Sequence, residues 1–202
     1  MKRTLLFLSS ILLTVAGCGI NKQVERAKAF EKCKYEITSA DSVSIAGVNV
    51  LQLIKSGSMD ITRAPRLALA FLRKDIPFEG KINLQIRNPS EALAAINQFE
   101  YKILIKDHEL SSGIIDQPIE VKPKGGVTNV PVRLSSNIYP LLSDSKAQKD
   151  LTDFFSVITD EKSNQKSILT IKIKPTIGVG NKLIKYPGYI TIDKEITKKI
   201  LL

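Results

Sequence analysis

The stretch Phe78–Leu110 limits what this chain can fold into more than any other. Ile82, Leu84 and Ile86 alternate with Asn83, Gln85 and Arg87. Further on, Phe99, Tyr101, Ile103 and Ile105 share one side, with Glu100, Lys102 and Lys106 on the other. A period of two, carried by β-branched and aromatic residues, marks antiparallel strands that bury one face and wet the other. Asn88-Pro89 separates the two runs. Proline has no N–H to give a ladder and restricts the residue before it, so the chain must leave the sheet there. The stretch predicts strand, irregular connection, strand.

The flanks extend this pattern. Lys34–Val50 reads as strand, with Tyr35, Ile37, Val43 and Ile45 on odd positions and Gly47 as a bulge or close approach. Asp60–Lys74 has helical spacing, with Ile61, Ala64, Ala68, Phe71 and Leu72 on one face and Asp60 at the N-cap. Pro65 falls near its first turn, where proline is tolerated. Asp107-His108 reads as a tight turn. Strand is expected over Leu110–Ile115 with Ile119–Val121, and around Val130, Val132 and Leu134, where Pro131 marks an edge or bulge. Lys122–Gly126 is a loop without the Lys-Ser/Thr of a phosphate cradle.

Ser143–Ile158 is a second helix, capped by Ser143 or Asp144, with Ala147, Leu151, Phe154, Phe155 and Ile158 aligned. Asp150 and Asp153 then read as solvated charge on its outer side. Ile168–Lys174 alternates strongly, Pro175–Lys182 reads as a turn region, and Leu183–Ile192 as the final strand before a basic tail. About seven short strands with turn signals between them predict a mainly-β fold. The expected architecture is an antiparallel immunoglobulin- or fibronectin-like β-sandwich with one or two short helices. The chain has no Trp, so the Cys…Trp…Cys of a true immunoglobulin domain is excluded.

The N-terminus is an address. Lys2 and Arg3 precede the apolar run Leu5–Ala16, which is right for a signal-peptide core and short for a spanning helix. Val15-Ala16-Gly17-Cys18 then resembles a bacterial lipobox. That resemblance implies cleavage after Gly17, diacylglycerol on the Cys18 thiol and acylation, palmitate for example, of the new amino group. Each buried methylene contributes about 0.8 kcal/mol, and two or more chains anchor stably where one does not. The expected organisation is a signal peptide over residues 1–17, a lipidated tether over 18–33 and a body over 34–202. The expected location is a bacterial cell envelope, lipid-anchored. Gly19 rather than Asp after the cysteine points to the outer membrane in a Gram-negative cell.

Hydrophobic residues make up 43% and charged residues 25%, which argues against wholesale disorder. Thirty Lys and Arg stand against twenty Asp and Glu, a net charge of +10, of which Lys2 and Arg3 leave with the leader. Such a body favours anionic surfaces. The lysines are spread along the chain without a cluster of aromatics, so nucleic acid is not expected as a partner. Cys33 is then the one cysteine left for the body, without an internal partner, and reads as a partly buried small hydrophobe. His108 is the only histidine and reads as polar surface at a turn.

Three pieces in order resemble the late embryogenesis abundant type 2 family, the water-stress-and-hypersensitive-response domain. They are KINLQIRNPSEALAAI (81–96) with Asn88-Pro89, FEYKILIKDHELSSG (99–113), and IEVKPKGGVTNVPVRL (119–134) with Val130-Pro131-Val132. Ser90 stands where the family frequently has a second Asn. The resemblance implies a β-sandwich linked to desiccation or stress, with no established active site, so no functional residue carries over.

The inventory for catalysis is thin. A reaction needs a nucleophile, base and orienter, or a metal shell. One histidine and one body cysteine offer little, so no enzyme, cofactor or metal is expected. The expected role is a non-catalytic, lipid-anchored envelope protein, binding or protective under stress, held to the membrane through Cys18. The alternative is an accessory lipoprotein of an envelope complex that carries an apolar ligand, with another envelope protein or an anionic surface as partner.

Overall fold

The computed structural model describes residues 21–50, 65–159, 167–179 and 182–196. Residues 21–31 form helix α1. The strands that follow are β1 (Lys34–Ile45), β2 (Val48–Asn49), β3 (Pro77–Arg87), β4 (Ala94–Ile96), β5 (Gln98–Ile105), β6 (His108–Ile115), β7 (Ile119–Val121) and β8 (Val127–Asn137). Then come β9 (Ser167–Val179), β10 (Lys182–Lys185) and β11 (Ile190–Ile196). Helix α2 (Pro65–Leu72) precedes β3, and α3 (Tyr139–Ser143) and α4 (Ser145–Thr159) lie between β8 and β9.

Among the described residues the strands pair in two main sheets, all antiparallel. One sheet has the order β2-β1-β3-β8, and the other β10-β9-β5-β6 with β11 also on β9. A small third pair joins β4 to β7. The expected mainly-β antiparallel fold holds. The alternation read from the sequence is the reason: Ile82, Leu84 and Ile86 of β3 and Phe99, Tyr101, Ile103 and Ile105 of β5 are all buried in one continuous core. Val130, Val132 and Leu134 of β8 and Leu169, Ile171 and Ile173 of β9 join them. Pro131 lies on an edge strand, where the lack of an N–H is tolerated.

The two sheets are stitched where β6 faces β8. The Tyr101 hydroxyl crosses from β5 and donates to the Arg133 carbonyl of β8. Ser136 Oγ donates to the Leu110 carbonyl at 2.5 Å. Gly113 makes room for this arrangement: a Cβ there would lie 2.6 Å from the Tyr101 hydroxyl.

Asn88 is the pivot of one end of the sandwich. It is fully buried, and its side chain makes four hydrogen bonds. Nδ2 donates to the carbonyls of Ala92 at 2.8 Å and Val121 at 3.0 Å. Oδ1 accepts from the Ser90 amide at 3.0 Å and the Ser90 hydroxyl at 2.7 Å. Its backbone closes on the other loop, with Asn88 N donating to Gly126 O and Gly125 N donating to Asn88 O. Lys124 and Gly125 reach this geometry at positive φ, 60° and 84°. The chain leaves the sheet at Asn88-Pro89 and is locked by one amide that satisfies two loops at once. Ser90 supplies a hydroxyl that fits this network.

Several expectations need correction. The segment read as a tether over 18–33, with Val24, Ala27 and Phe30 or Glu31 as a weakly marked short helix, is helical over 21–31, and Ala27, Ala29 and Phe30 enter the core. Gly47 is not in a bulge: Ala46 and Gly47, at φ 49° and 71°, form a two-residue hairpin between Ile45 and Val48. Positive φ at both positions matches the twist of the flanking strands. The register shifts of β1 fall instead at Ile37/Ser39 and Asp41/Ser44.

The buried residues of α2 are Leu67 and Ala70, while Leu72 is 79% exposed, so the packed stripe is rotated from the expected one. Asp60, Ile61 and Ala64 lie outside the described residues. The turn after β5 is Lys106-Asp107, and His108 already pairs with Ile105. Ile119–Val121 pairs with β4 rather than continuing β6. Pro175 does not end β9. Its carbonyl accepts from Tyr186 N at 2.8 Å, so its own nitrogen faces the gap between β10 and β11, where no ladder bond is lost. That gap also divides the expected last strand into β10 and β11.

Candidate functional site

Cys18, the expected lipid-attachment residue, lies outside the described residues. Cys33 is buried, and its thiol donates to the Ala29 carbonyl at 3.4 Å. Burial pushes the thiol up to about 11, so it is a packed neutral group and not a nucleophile. No group of three or more His, Cys, Asp or Glu gathers to hold a metal ion among the described residues.

One cluster of ionisable groups does form, and the sequence reading missed it. Asp150 of α4 is only 8% exposed. One carboxylate oxygen accepts from Lys106 Nζ, and the other lies 3.2 Å from His108 Nε2. The hydrogen bond from Lys106 holds the Asp150 carboxyl below its usual range, and His108 adds to it. Asp150 was expected on the solvated side of its helix. It lies three residues after Ala147 and four before Phe154, both buried, so it borders the packed stripe and meets the β5–β6 turn. That helical spacing was the available signal. Asp153 keeps its expected place, exposed in part and paired with Lys149 at 2.7 Å. Lys106 and His108 on one carboxylate clamp α4 to the sheet. The cluster itself contains no hydroxyl or thiol to act as nucleophile, so its chemistry is that of a structural ion pair.

The surface that departs most from a solvated sandwich is the β10 edge. All four residues of β10 are exposed, including Leu183 at 60% and Ile184 at 47%. Leu183 pairs with Gly178 and Ile184 with Ile177, so the two apolar side chains leave opposite faces of the strand. Tyr189, 42% exposed, follows in the connection to β11, with Lys174 Nζ 5.3 Å from its ring centre. Lys182 and Lys185 flank the apolar pair. Glu100 of β5 pairs with Lys185, and that hydrogen bond raises the lysine above its usual range.

The same edge neighbours the N-terminal helix. The Tyr186 hydroxyl bonds Glu31 Oε2 at 2.5 Å, at the end of α1. Lys194 of β11 pairs with Glu36 of β1 at 3.3 Å. Helices α2, α3 and α4 connect at the other end of the strands, where β3 begins and β8 ends. No described helix is long and apolar enough to cross a membrane.

No family model matches the chain, and no curated protein matches it. Among solved structures it is similar to a crystal structure of a protein from Archaeoglobus fulgidus. The identity is 19%, over 60% of this chain and 85% of that one, with a TM-score of 0.33. It is also similar to the solution structure of a putative late embryogenesis abundant protein. There the identity is 15%, over 96% of this chain and 88% of that one, with a TM-score of 0.31. At these TM-scores neither likeness carries an argument, and the two-sheet architecture rests on this chain's own strand pairing.

Proposed function

We propose that this chain is a non-catalytic, lipid-anchored protein of the bacterial cell envelope, of the late embryogenesis abundant type 2 kind, that binds or protects other molecules under water stress. The observation that carries the anchoring is Val15-Ala16-Gly17-Cys18 directly after an apolar run of signal-peptide length. Lipid on Cys18 would hold a body whose first helix starts within three residues of it.

The family reading is supported by the three sequence pieces that carry the resemblance. The pieces meet in space: Asn88 of the first accepts and donates at the loop of the third. A body without catalysis fits the engaged His108 and the neutral, buried Cys33. The test is membrane fractionation of a Cys18→Ser variant. Loss of processing and of the mature membrane-bound form is expected. A variant that is still processed and membrane-bound like the parent would remove the anchor from the account.

A further inference from the structure

We infer that β10 and the β10–β11 connection are a contact site for an anionic bilayer surface, with Leu183, Ile184 and Tyr189 at the head-group boundary and Lys174 and Lys182 on lipid phosphate. The inference rests on the anchoring reading above and adds a second, protein-made contact to it.

Three observations carry it. A strand with every residue exposed and two bare aliphatic side chains is a hazard unless something covers it. Its chemistry selects the cover, because Lys174 and Lys182, with Lys185 paired to Glu100, ring the apolar residues. The acids nearby, Glu100 and Glu31, are engaged by Lys185 and Tyr186. Anionic lipid complements that ring, and aromatic and aliphatic side chains suit the head-group boundary. A second copy fits worse: antiparallel self-pairing of Lys182-Leu183-Ile184-Lys185 sets lysine against lysine across the new ladder.

Reach is the third observation. The helix over residues 21–31 is about 15 Å long, and three more residues from Cys18 add at most about 10 Å. Glu31 at its end touches Tyr186. A lipid on Cys18 is therefore within about 30 Å of this edge, and the edge lies at the opposite end of the strands from α2, α3 and α4.

The chain contains no Trp, so a single indole reports one place. Two full-length variants, Leu183→Trp and Leu72→Trp, are processed in cells, extracted and reconstituted into phosphatidylcholine vesicles with or without brominated phosphatidylglycerol. Both positions are exposed, so both variants fold. The expected result is blue-shifted emission and quenching by the brominated anionic lipid at position 183, and neither at position 72. Adding Lys182→Gln to Leu183→Trp weakens the contact about fivefold. Equal quenching at both positions overturns the inference. A blue shift at 183 without quenching, in a dimer-sized particle, means that a second copy covers the edge and also overturns it. Flotation reports the anchor separately. A chain that floats with position 183 unquenched overturns this inference alone, and a chain that does not float overturns both.

Discussion

Replacing Asn88 by aspartate changes one atom type at the most connected buried polar group of the fold. In the parent, Nδ2 donates to the carbonyls of Ala92 and Val121, and Oδ1 accepts twice from Ser90. In Asn88→Asp the donor nitrogen becomes one oxygen that faces two carbonyl oxygens, in a site closed to water. The Ala92 carbonyl keeps the Ser90 hydroxyl as a donor at 3.1 Å, while the Val121 carbonyl loses its donor from Asn88. A buried acceptor left unpaired costs about 1–3 kcal/mol. With the repulsion added, the loss at pH 7 is about 3–4 kcal/mol, a large part of the roughly 5–15 kcal/mol that holds a domain of this size.

The pH dependence separates this account from a simple packing defect. An ionised carboxylate facing two carbonyls favours its protonated form, so its folded pKa lies above the unfolded value of about 3.9. Between the two values the folded state holds the extra proton, and stability falls as pH rises. Urea unfolding by circular dichroism, with parent and variant compared at pH 4 and pH 7, is the assay. The variant's deficit is expected to grow toward pH 7, while that of Asn88→Ala stays level. A deficit below about 1 kcal/mol, or one that does not change with pH, would refute the role given to Asn88.

Other predictions follow from single contacts. Gly113→Ala places a Cβ against the Tyr101 hydroxyl and is expected to destabilise by about 1–3 kcal/mol. Thermal unfolding of Gly113→Ala with and without Tyr101→Leu would show strong non-additivity, and simple additivity would deny the clash. Asp150 has a folded pKa lowered first by Lys106, so its contribution is present above about pH 4 and fades as pH falls toward the folded value. The acid limb of stability in Asp150→Asn should be shallower than in the parent, and an identical limb would argue against the ion pair. In a Cys18→Ser chain, the Cys33 thiol should resist an aromatic disulfide reagent at pH 8 until urea unfolds the protein; prompt native labelling would contradict its burial.

Much of the fold was legible because burying one face of a strand leaves a two-residue period. Ile82 to Ile86 and Phe99 to Ile105 announced β3 and β5 for that reason. Asn88-Pro89 announced the break, but not that the amide would tie two distant loops, because a buried hydrogen-bond network leaves no periodic trace. The sense of Pro175 was missed because a proline's effect depends on which edge its nitrogen faces. The helix over residues 21–31 was only faintly marked by Val24, Ala27 and Phe30, because lysines interrupt the apolar positions on so short a segment. Asp150 was misplaced because a carboxylate beside an apolar stripe looks solvated until its lysine and histidine, over forty residues earlier in sequence, are seen to meet it. The exposed apolar pair in β10 was read as ordinary strand, since the sequence does not say that the neighbouring edge is open.

The central claim is that lipid at Cys18 holds this body to a membrane. Intact-mass measurement of the protein purified from its cell envelope tests it most directly. The account predicts a chain beginning at Cys18 and carrying a diacylglyceryl group and an amide-linked acyl chain. A mass equal to the unprocessed chain, or to a product cleaved elsewhere and free of lipid, would contradict it.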